Sequence, residues 1–235
     1  AWVHTPEQSW AQRVASWLPD RGVAAWVIER DVADPAHYVG TWLKDESIDP
    51  RSPEGDARTG AWLEHFAEHG VSGIGFGFVA IRDIGDEPSD VLAESMPQPF
   101  TDPLGPEVEE YFTRTAWLRG RGAQELADAT FLTRPGLARE TIAVADKEAG
   151  VGFAPAALRL TRTDGPRWSH DVDEHLAAIV AGLHPQGLSF GETVGLYALA
   201  NGLDEEELVQ AAVPALVDLV RHGLVLPAEL AETAE

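Results

Sequence analysis

Hydrophobic residues in the first 85 positions alternate between helical and extended spacing. Thr5-Pro6-Glu7-Gln8 combines a capping residue, a helix-compatible proline and a capping-box glutamine, and therefore predicts the start of a helix. Trp10 and Val14 continue this helix at helical spacing as far as Pro19. Residues 23–28 then form a continuous apolar run, which is typical of a strand buried on both faces of a parallel sheet.

Two more helices and a second strand follow in the same region. Asp34-Pro35 predicts the start of a second helix, and a third is expected to follow a polar loop over residues 45–55 and to end at Gly70. Residues 73–81 are predicted to form a long strand. The alternation indicates an α/β fold, but two strands are too few to bury both faces of a sheet. We therefore expect further strands N-terminal to Ala1.

Residues 86–105 are rich in proline and acidic residues, a composition that is typical of a linker. We predict that this linker joins a first domain, residues 1–85, to an accessory α+β domain, residues 106–235. The second domain begins with a helix predicted over residues 106–118. Three strand-like segments follow it, centred on Phe131, Ile142 and Arg159.

The last third of the chain contains three capping boxes, each an Asp or Ser followed by Glu three residues later. They are Asp171 with Glu174, Ser189 with Glu192, and Asp204 with Glu207. The helices that they open are predicted over residues 172–183, 190–201 and 205–222. Pro214 is expected to kink or split the last of these helices, and a short strand over residues 224–226 follows it. Three helices next to a strand pair favour a winged-helix-like module.

The composition narrows the range of partners. The chain carries 39 acidic and 17 basic residues, so its net charge of −22 repels phosphate backbones and argues against nucleic-acid binding. The absence of cysteine excludes disulfides and cysteine-ligated zinc, and it agrees with a reducing, cytoplasmic location. No apolar run approaches the roughly 20 residues of a membrane helix, so we expect no membrane association.

His65-Phe66-Ala67-Glu68-His69 matches the H-x-x-E-H pattern of certain zinc enzymes. Histidines four residues apart share one face of a helix and can bind zinc together. A zinc site needs a third protein ligand, however, and the sequence does not mark one out. The motif also lies in the last turn before Gly70, where the helix dipole favours imidazolium. We therefore favour a solvated helix end and predict no metal ligand.

Three other motifs have plainer explanations than a ligand site. Gly73, Gly75 and Gly77 lie within a predicted strand, so a bulge or a close backbone approach is favoured over a nucleotide-binding loop. The dense cluster over residues 170–175 is explained by capping rather than by a metal. The last long helix begins with four acidic residues, 204–207, which would repel phosphates, so we predict no direct DNA binding.

The first region resembles a group of class I S-adenosylmethionine-dependent methyltransferases from actinobacteria. The resemblance is carried by residues 10–18, 22–31 and 34–43, while residues 73–82 resemble a late strand of that group. The group is similar to the methyltransferase small-domain family that includes glutamine-N5 methyltransferases acting on release factors. Residues 106–227 resemble, more loosely, the extra C-terminal domain that such proteins carry.

The resemblance implies S-adenosylmethionine as the methyl donor of the intact protein. It also implies a glycine-rich loop after the first strand and an Asn-Pro-Pro-Tyr-type motif after the fourth, and this chain contains neither motif. We expect both to lie N-terminal to Ala1. The chain alone is then inactive and binds no S-adenosylmethionine, and we assign it no catalytic or cofactor-binding residue.

One site prediction rests on the end of the first buried strand. Ligands of open α/β sheets bind at the carboxyl ends of the strands, and Arg30 and Asp31 follow residues 23–28 directly. Arg30 and Asp31 are therefore the candidates for a substrate cleft, while a helix-capping or surface ion-pair role is the favoured interpretation.

The predicted function is that of a C-terminal fragment of a Rossmann-like methyltransferase. Its accessory domain would recognise a substrate or partner, for which a methyl acceptor with a basic protein surface is the candidate. The alternative is a non-enzymatic protein-interaction module.

Overall fold

A computed structural model describes residues 1–100 and 103–231 as a mixed α/β protein. Residues 101–102 of the predicted linker and 232–235 of the predicted second domain lie outside the described residues. The chain divides into two compact units, Ala1–Pro97 and Gln98–Glu235. We describe each unit separately.

The first unit contains four strands and three helices. In chain order they are β1 (Trp2–His4), α1 (Trp10–Ala15), β2 (Arg21–Ala33), α2 (Pro35–Asp45), α3 (Pro53–Glu68), β3 (Gly73–Pro88) and β4 (Asp90–Ser95). The four strands form one mixed sheet in the order β1-β3-β2-β4. Strand β3 is antiparallel to both β1 and β2, whereas β2 and β4 are parallel. Strands β1, β2 and β4 therefore share one direction, and their carboxyl ends share one edge of the sheet.

The centre of this sheet is strand β2. Its residues from Ala24 to Glu29 are all buried, which confirms the prediction of a strand covered on both faces. On one face Val27 packs with Trp2 and with Val14 of α1. On the other face Tyr38 of α2 is the centre of an aromatic cluster. The rings around Tyr38 are Trp42, Trp62, Phe66 and Phe76, with centroid separations of 5.8 to 6.1 Å.

Three sequence-based predictions for this unit require correction. The sheet has four strands rather than two. The sequence pattern does not reveal β1 and β4, because both strands are short and carry no long apolar run. Residues 86–95 belong to β3 and β4 instead of a linker, since β4 pairs with the buried strand β2. The first helix starts after Ser9, whose Oγ accepts a hydrogen bond from the Gln12 amide at 3.3 Å, and not after Thr5.

The helix bounds around the predicted polar loop also differ from expectation. Helix α3 begins at Pro53, because the Ser52 hydroxyl accepts a hydrogen bond from the Gly55 amide at 3.0 Å. The loop is therefore shorter than residues 45–55. Asp34 caps α2 with Pro35 in its first turn, as predicted. Gly70, just past the end of α3, adopts a positive φ of 61°, which is the conformation expected of a residue that ends a helix.

The second unit consists of six helices and two small antiparallel sheets within its described residues. Its elements are α4 (Leu104–Leu118), α5 (Ala123–Asp128), β5 (Phe131–Thr133), β6 (Leu137–Ala145), β7 (Phe153–Arg162), β8 (Ser169–Asp171), α6 (Glu174–Ala181), α7 (Phe190–Asn201), α8 (Glu205–Arg221), β9 (Val225–Pro227) and α9 (Ala228–Ala231). Strand β5 pairs with β9, and β6, β7 and β8 form the other sheet in that order. Phe131 of β5 is fully buried against Trp117 of α4 and Phe190 of α7.

Two of the three predicted capping positions in this unit are confirmed. Ser189 and Glu192 form a complete capping box for α7, and Asp204 caps α8. The third is wrong: Asp171 lies in β8, and α6 is capped by Asp173, which accepts a hydrogen bond from the Leu176 amide at 2.7 Å.

Helix α8 is not split at Pro214, contrary to one of the predicted outcomes. A proline inside a helix costs about 3 kcal/mol or more. Burial of a large aliphatic side chain contributes about 1.5–3 kcal/mol, and α8 buries several of them around the proline. Because the combined contribution of these buried side chains exceeds the cost of the proline, the helix continues. The buried aliphatic residues are Val213, Leu216, Leu219 and Val220.

No helix within residues 1–100 and 103–231 is long and apolar enough to cross a membrane.

Candidate functional site

A buried carboxylate lies close to the edge of the first sheet at which β1, β2 and β4 end. Glu29 of β2 is only 4% exposed. Its Oε2 accepts a hydrogen bond from Trp2 Nε1 at 2.6 Å and lies 2.7 Å from His4 Nε2. Its Oε1 accepts a hydrogen bond from the Ser95 hydroxyl at 3.3 Å. We call these four residues the Glu29 cluster.

The sheet topology assembles the Glu29 cluster from three strands. Trp2 and His4 come from β1, and Ser95 comes from β4, where it is paired in register with Glu29. Strand β3 separates β1 from β2, and Gly75 leaves the gap between them open. A Cβ atom at Gly75 would overlap both Trp2 Nε1 and Glu29 Oε2. The cluster therefore depends on the absence of a side chain at Gly75.

Burial of an ionised carboxylate is costly unless donors surround it. In this cluster the indole and the hydroxyl donate to Glu29, and His4 can donate through Nε2. The His4 side chain is about one quarter exposed, so it links the buried carboxylate to solvent. The contact between His4 and Glu29 therefore lies near the edge of the sheet at which β1, β2 and β4 end.

Arg30 and Asp31, the predicted cleft residues, lie inside β2, which continues to Ala33. The pairing register with β3 shifts between Glu29 and Asp31, so Arg30 occupies an irregularity in the strand. The half-buried Arg30 guanidinium donates from Nη1 to the Met96 carbonyl oxygen. Asp31 is exposed, and its Oδ1 accepts a hydrogen bond from the Val32 amide at 2.9 Å. Both residues adjoin the Glu29 cluster in sequence.

The spacing of Gly73, Gly75 and Gly77 indicates a bulge or a close backbone approach, and the structure confirms this interpretation. All three glycines lie in β3. A side chain at Gly77 would overlap the Ile28 carbonyl oxygen, directly beside the register shift at Arg30. These glycines therefore maintain strand packing.

A second feature of the first unit is an apolar cavity of about 390 Å³. Its walls include the aromatic side chains of Tyr38, Trp62 and Phe66, and His65 contributes to its lining. His65 also belongs to the H-x-x-E-H motif. The ligand atoms of His65, Glu68 and His69 all lie within 4.8 Å of one another, and all three residues are exposed.

The other dense cluster of potential ligands, residues 170–175, is dispersed among separate partners. Asp171 pairs with Arg159 at 2.6 Å, and Glu174 pairs with Arg139 at 2.6 Å. His170 Nε2 lies 2.7 Å from Nδ1 of His222, and His175 Nδ1 lies 2.9 Å from the Tyr197 hydroxyl. Among the described residues, only the motif at the end of α3 gathers three such ligands.

The second unit buries a three-residue ion cluster that sequence reasoning missed. Arg162 of β7 is 1% exposed, and its Nη1 and Nη2 donate to the two carboxylate oxygens of Glu107 at 3.0 and 2.8 Å. Arg114 donates to Glu107 Oε1 at 2.6 Å. Removal of one partner from a buried pair costs about 3–5 kcal/mol, because it leaves a charge uncompensated. Glu107 is thus a structural counter-ion for two guanidinium groups.

A signal for part of this cluster exists in the sequence. Glu107, Tyr111 and Arg114 follow the spacing of one helix face, and that face of α4 is buried. Charged residues on an apolar face indicate a buried pair. The contribution of Arg162 carries no such signal, because it lies 55 positions beyond Glu107.

Arg134 forms ion pairs with two partly exposed carboxylates of the second unit. Its Nη1 donates to Glu110 at 2.9 Å, and its Nε donates to Asp164 at 3.0 Å. Burial by itself would raise the pKa of Glu110, but the hydrogen bond and charge of Arg134, together with the charges of Arg114 and Arg162, outweigh it and lower the pKa. The pKa of Asp164 is also lowered, since Arg162 and Arg134 together outweigh the effect of burial.

Comparison with known proteins identifies a family for the second unit. No curated protein matches the sequence significantly. Residues 109–227, just over half of the chain, match the family model described as a domain of unknown function, DUF7782. The match begins within α4 and ends at the last residue of β9. The chain therefore belongs to the DUF7782 family.

Proposed function

We propose that the chain is the C-terminal part of a Rossmann-like, S-adenosylmethionine-dependent methyltransferase. In this proposal the first unit completes the catalytic sheet, and the DUF7782 region is an accessory domain that recognises the methyl acceptor. The observation that carries the proposal is the sheet order β1-β3-β2-β4, in which only β3 runs against the other strands.

The sheet has the character of one end of a doubly wound α/β domain. Mixed sheets are common among doubly wound domains, where the antiparallel strand is often at an edge, whereas β3 lies between β1 and β2. Both faces of this sheet are covered by helices: α1 packs through Val14 on the Trp2 side, and α2 packs through Tyr38 on the Phe76 side. Among the described residues no strand pairs with the outer edge of β1 or of β4, so both edges can accept the further strands that the proposal requires.

The substrate site of the intact protein is proposed at the carboxyl ends of β1, β2 and β4. The Glu29 cluster provides a buried, hydrogen-bonded carboxylate near this edge, and Arg30 and Asp31 continue β2 beyond it. We assign no S-adenosylmethionine contact to this chain. A phosphate- or cofactor-binding glycine loop opens a helix after a strand, whereas Gly73, Gly75 and Gly77 lie inside β3.

The accessory role is supported by the surface of the second unit. Helices α6, α7 and α8 precede β9, an order compatible with the winged-helix-like module that we propose. Residues 205–207, which open α8, are exposed glutamates. A methyl acceptor with a basic protein surface complements this charge, whereas a nucleic acid does not.

The test compares the 235-residue chain with the complete reading frame that encodes it. We expect the complete protein to contain a glycine-rich loop and an Asn-Pro-Pro-type motif upstream of Ala1. Calorimetric titration with S-adenosylmethionine should detect binding to the complete protein and none to the chain. Tight binding by the chain, or a complete protein that neither contains these motifs nor binds S-adenosylmethionine, would contradict the proposal.

A non-enzymatic interaction module is the second candidate, and exposed leucines of α7 favour it. Leu196 is 57% exposed and Leu199 is 81% exposed, and they lie three residues apart on one helix face. Exposed apolar side chains grouped on a face are typical of protein contacts. A complete protein that binds a protein partner through these leucines and lacks affinity for S-adenosylmethionine would favour this candidate.

A further inference from the structure

We propose that His65, Glu68 and His69 bind Zn²⁺ or a similar divalent transition metal at the C-terminal end of α3. The three residues occupy positions i, i+3 and i+4, so they lie on one face of the helix end. Two imidazoles and one carboxylate form a set of three protein ligands that catalytic zinc sites use. Glu68 supplies the third ligand that the sequence pattern leaves unassigned.

The three ligand atoms need to move only slightly to bind one metal ion together. They lie within 4.8 Å of one another in the structure. Zinc bonds of about 2.1 Å place tetrahedral ligands roughly 3.4 Å apart. The remaining difference is at most about 1.4 Å, and rotation of exposed side chains covers it without any change in the core, because all three residues are exposed.

The hydrogen bond of His69 selects the tautomer that a metal requires. His69 Nδ1 lies 2.8 Å from the carbonyl oxygen of His65. A carbonyl oxygen only accepts hydrogen bonds, so Nδ1 carries the proton and Nε2 keeps its lone pair for a metal. Metal-binding histidines in proteins are usually oriented in this way by a carbonyl or carboxylate group.

Two charges at the end of α3 favour a cation at this position. The carbonyl groups of the last helical turn carry partial negative charge, and Glu68 adds a carboxylate. The imidazole rings of His65 and His69 are already neighbours, with centroids 4.3 Å apart. One metal ion can accept a lone pair from each of two neighbouring imidazoles. The proposal is independent of the methyltransferase proposal.

The experiment is a Zn²⁺ titration of the 235-residue chain, with a chromophoric chelator as competitor. We expect binding of one Zn²⁺ per chain. H65A and H69A should each weaken it at least tenfold, since each removes one ligand. E68Q should weaken it about tenfold. The matched control is H37A, which removes an exposed histidine on α2 and should leave the affinity unchanged.

Thermal unfolding provides a second measurement. A metal that bridges His65 and His69 stabilises the folded chain by mass action, so Zn²⁺ should raise the Tm of the wild type and H37A. It should not raise the Tm of H65A/H69A. Equal Zn²⁺ affinity of the wild type and the H65A/H69A double variant would overturn the site. Unchanged affinity in E68Q would overturn the three-ligand assignment.

Discussion

At the scale of single residues, Gly75 determines whether the Glu29 cluster can form. A Cβ atom there would overlap the indole nitrogen of Trp2 and a carboxylate oxygen of Glu29, and both of these are buried. Neither side chain can move away from the added Cβ atom without loss of the 2.6 Å hydrogen bond between Trp2 and Glu29. Gly75 is therefore required by packing and not by backbone conformation, since no positive φ occurs at this position.

We predict that G75A destabilises the chain by about 1–3 kcal/mol, the usual cost of an added methyl group in a filled interior. Chemical denaturation monitored by tryptophan fluorescence measures this loss. The matched control is G60A, because Gly60 is exposed in the interior of α3 and nothing lies near its missing side chain. G60A should stabilise the chain by about 0.5–1 kcal/mol. Equal stability of G75A and the wild type would contradict the close packing described for the cluster.

The sequence predicts close packing at the glycines of β3, but it does not predict which residues pack there. The pattern of Gly73, Gly75 and Gly77 inside an apolar run indicates a close approach, and this interpretation is confirmed. Trp2 lies 27 positions before Glu29, and Ser95 lies 66 positions after it. No local pattern links residues so distant. Only the strand pairing brings them together.

At the scale of elements, Arg134 joins three segments of the second unit. It follows β5, and its carboxylate partners lie on α4 and just after β7. The folded state lowers the pKa values of both partners, Glu110 and Asp164. A carboxyl group with a depressed pKa stabilises the folded state above its unfolded pKa, and this contribution is lost as the pH falls through the folded pKa.

We predict that R134M destabilises the chain at pH 7 and that this cost shrinks as the pH falls below about 4.5, where carboxylates become protonated. The measurement is the difference in unfolding free energy between R134M and the wild type at several pH values. Added salt should also reduce the difference, because Glu110 and Asp164 are each nearly half exposed. A cost that is constant from pH 7 to pH 3 would show that Arg134 acts through packing instead.

The control for this prediction is R139M. Arg139 forms an exposed ion pair with Glu174 at 2.6 Å, and such pairs contribute about 0–1 kcal/mol. Its loss should change stability little at any pH.

Helices α7 and α8 show where local sequence rules for helices succeed and where they fail. The capping box of Ser189 and Glu192 correctly predicts α7 from residue 190 to residue 201, because capping and helical spacing are local properties. Pro214 would by the same rules be expected to kink or split α8, yet the helix is not split. The buried aliphatic face of α8 outweighs one lost backbone hydrogen bond, and that burial depends on the rest of the unit.

At the scale of the whole molecule, the charge of −22 governs which partners can approach. We predict that the chain does not bind a 20-base-pair DNA duplex at physiological ionic strength, because few basic residues are available to neutralise phosphates. Fluorescence anisotropy of a labelled duplex measures this, with a basic DNA-binding protein as the positive control. Saturable binding at micromolar concentrations would contradict the prediction and would also weaken the proposed preference for a basic acceptor.

The sequence by itself determined the α/β class, the buried strand that it predicted at residues 23–28, helices α6, α7 and α8 and the acidic composition, because these follow from local spacing, capping and composition. Tertiary structure decided the sheet order, the short strands β1 and β4, the Glu29 cluster and the Glu107 ion cluster. These features depend on where distant segments or flexible side chains meet in space, and the linear pattern does not specify that.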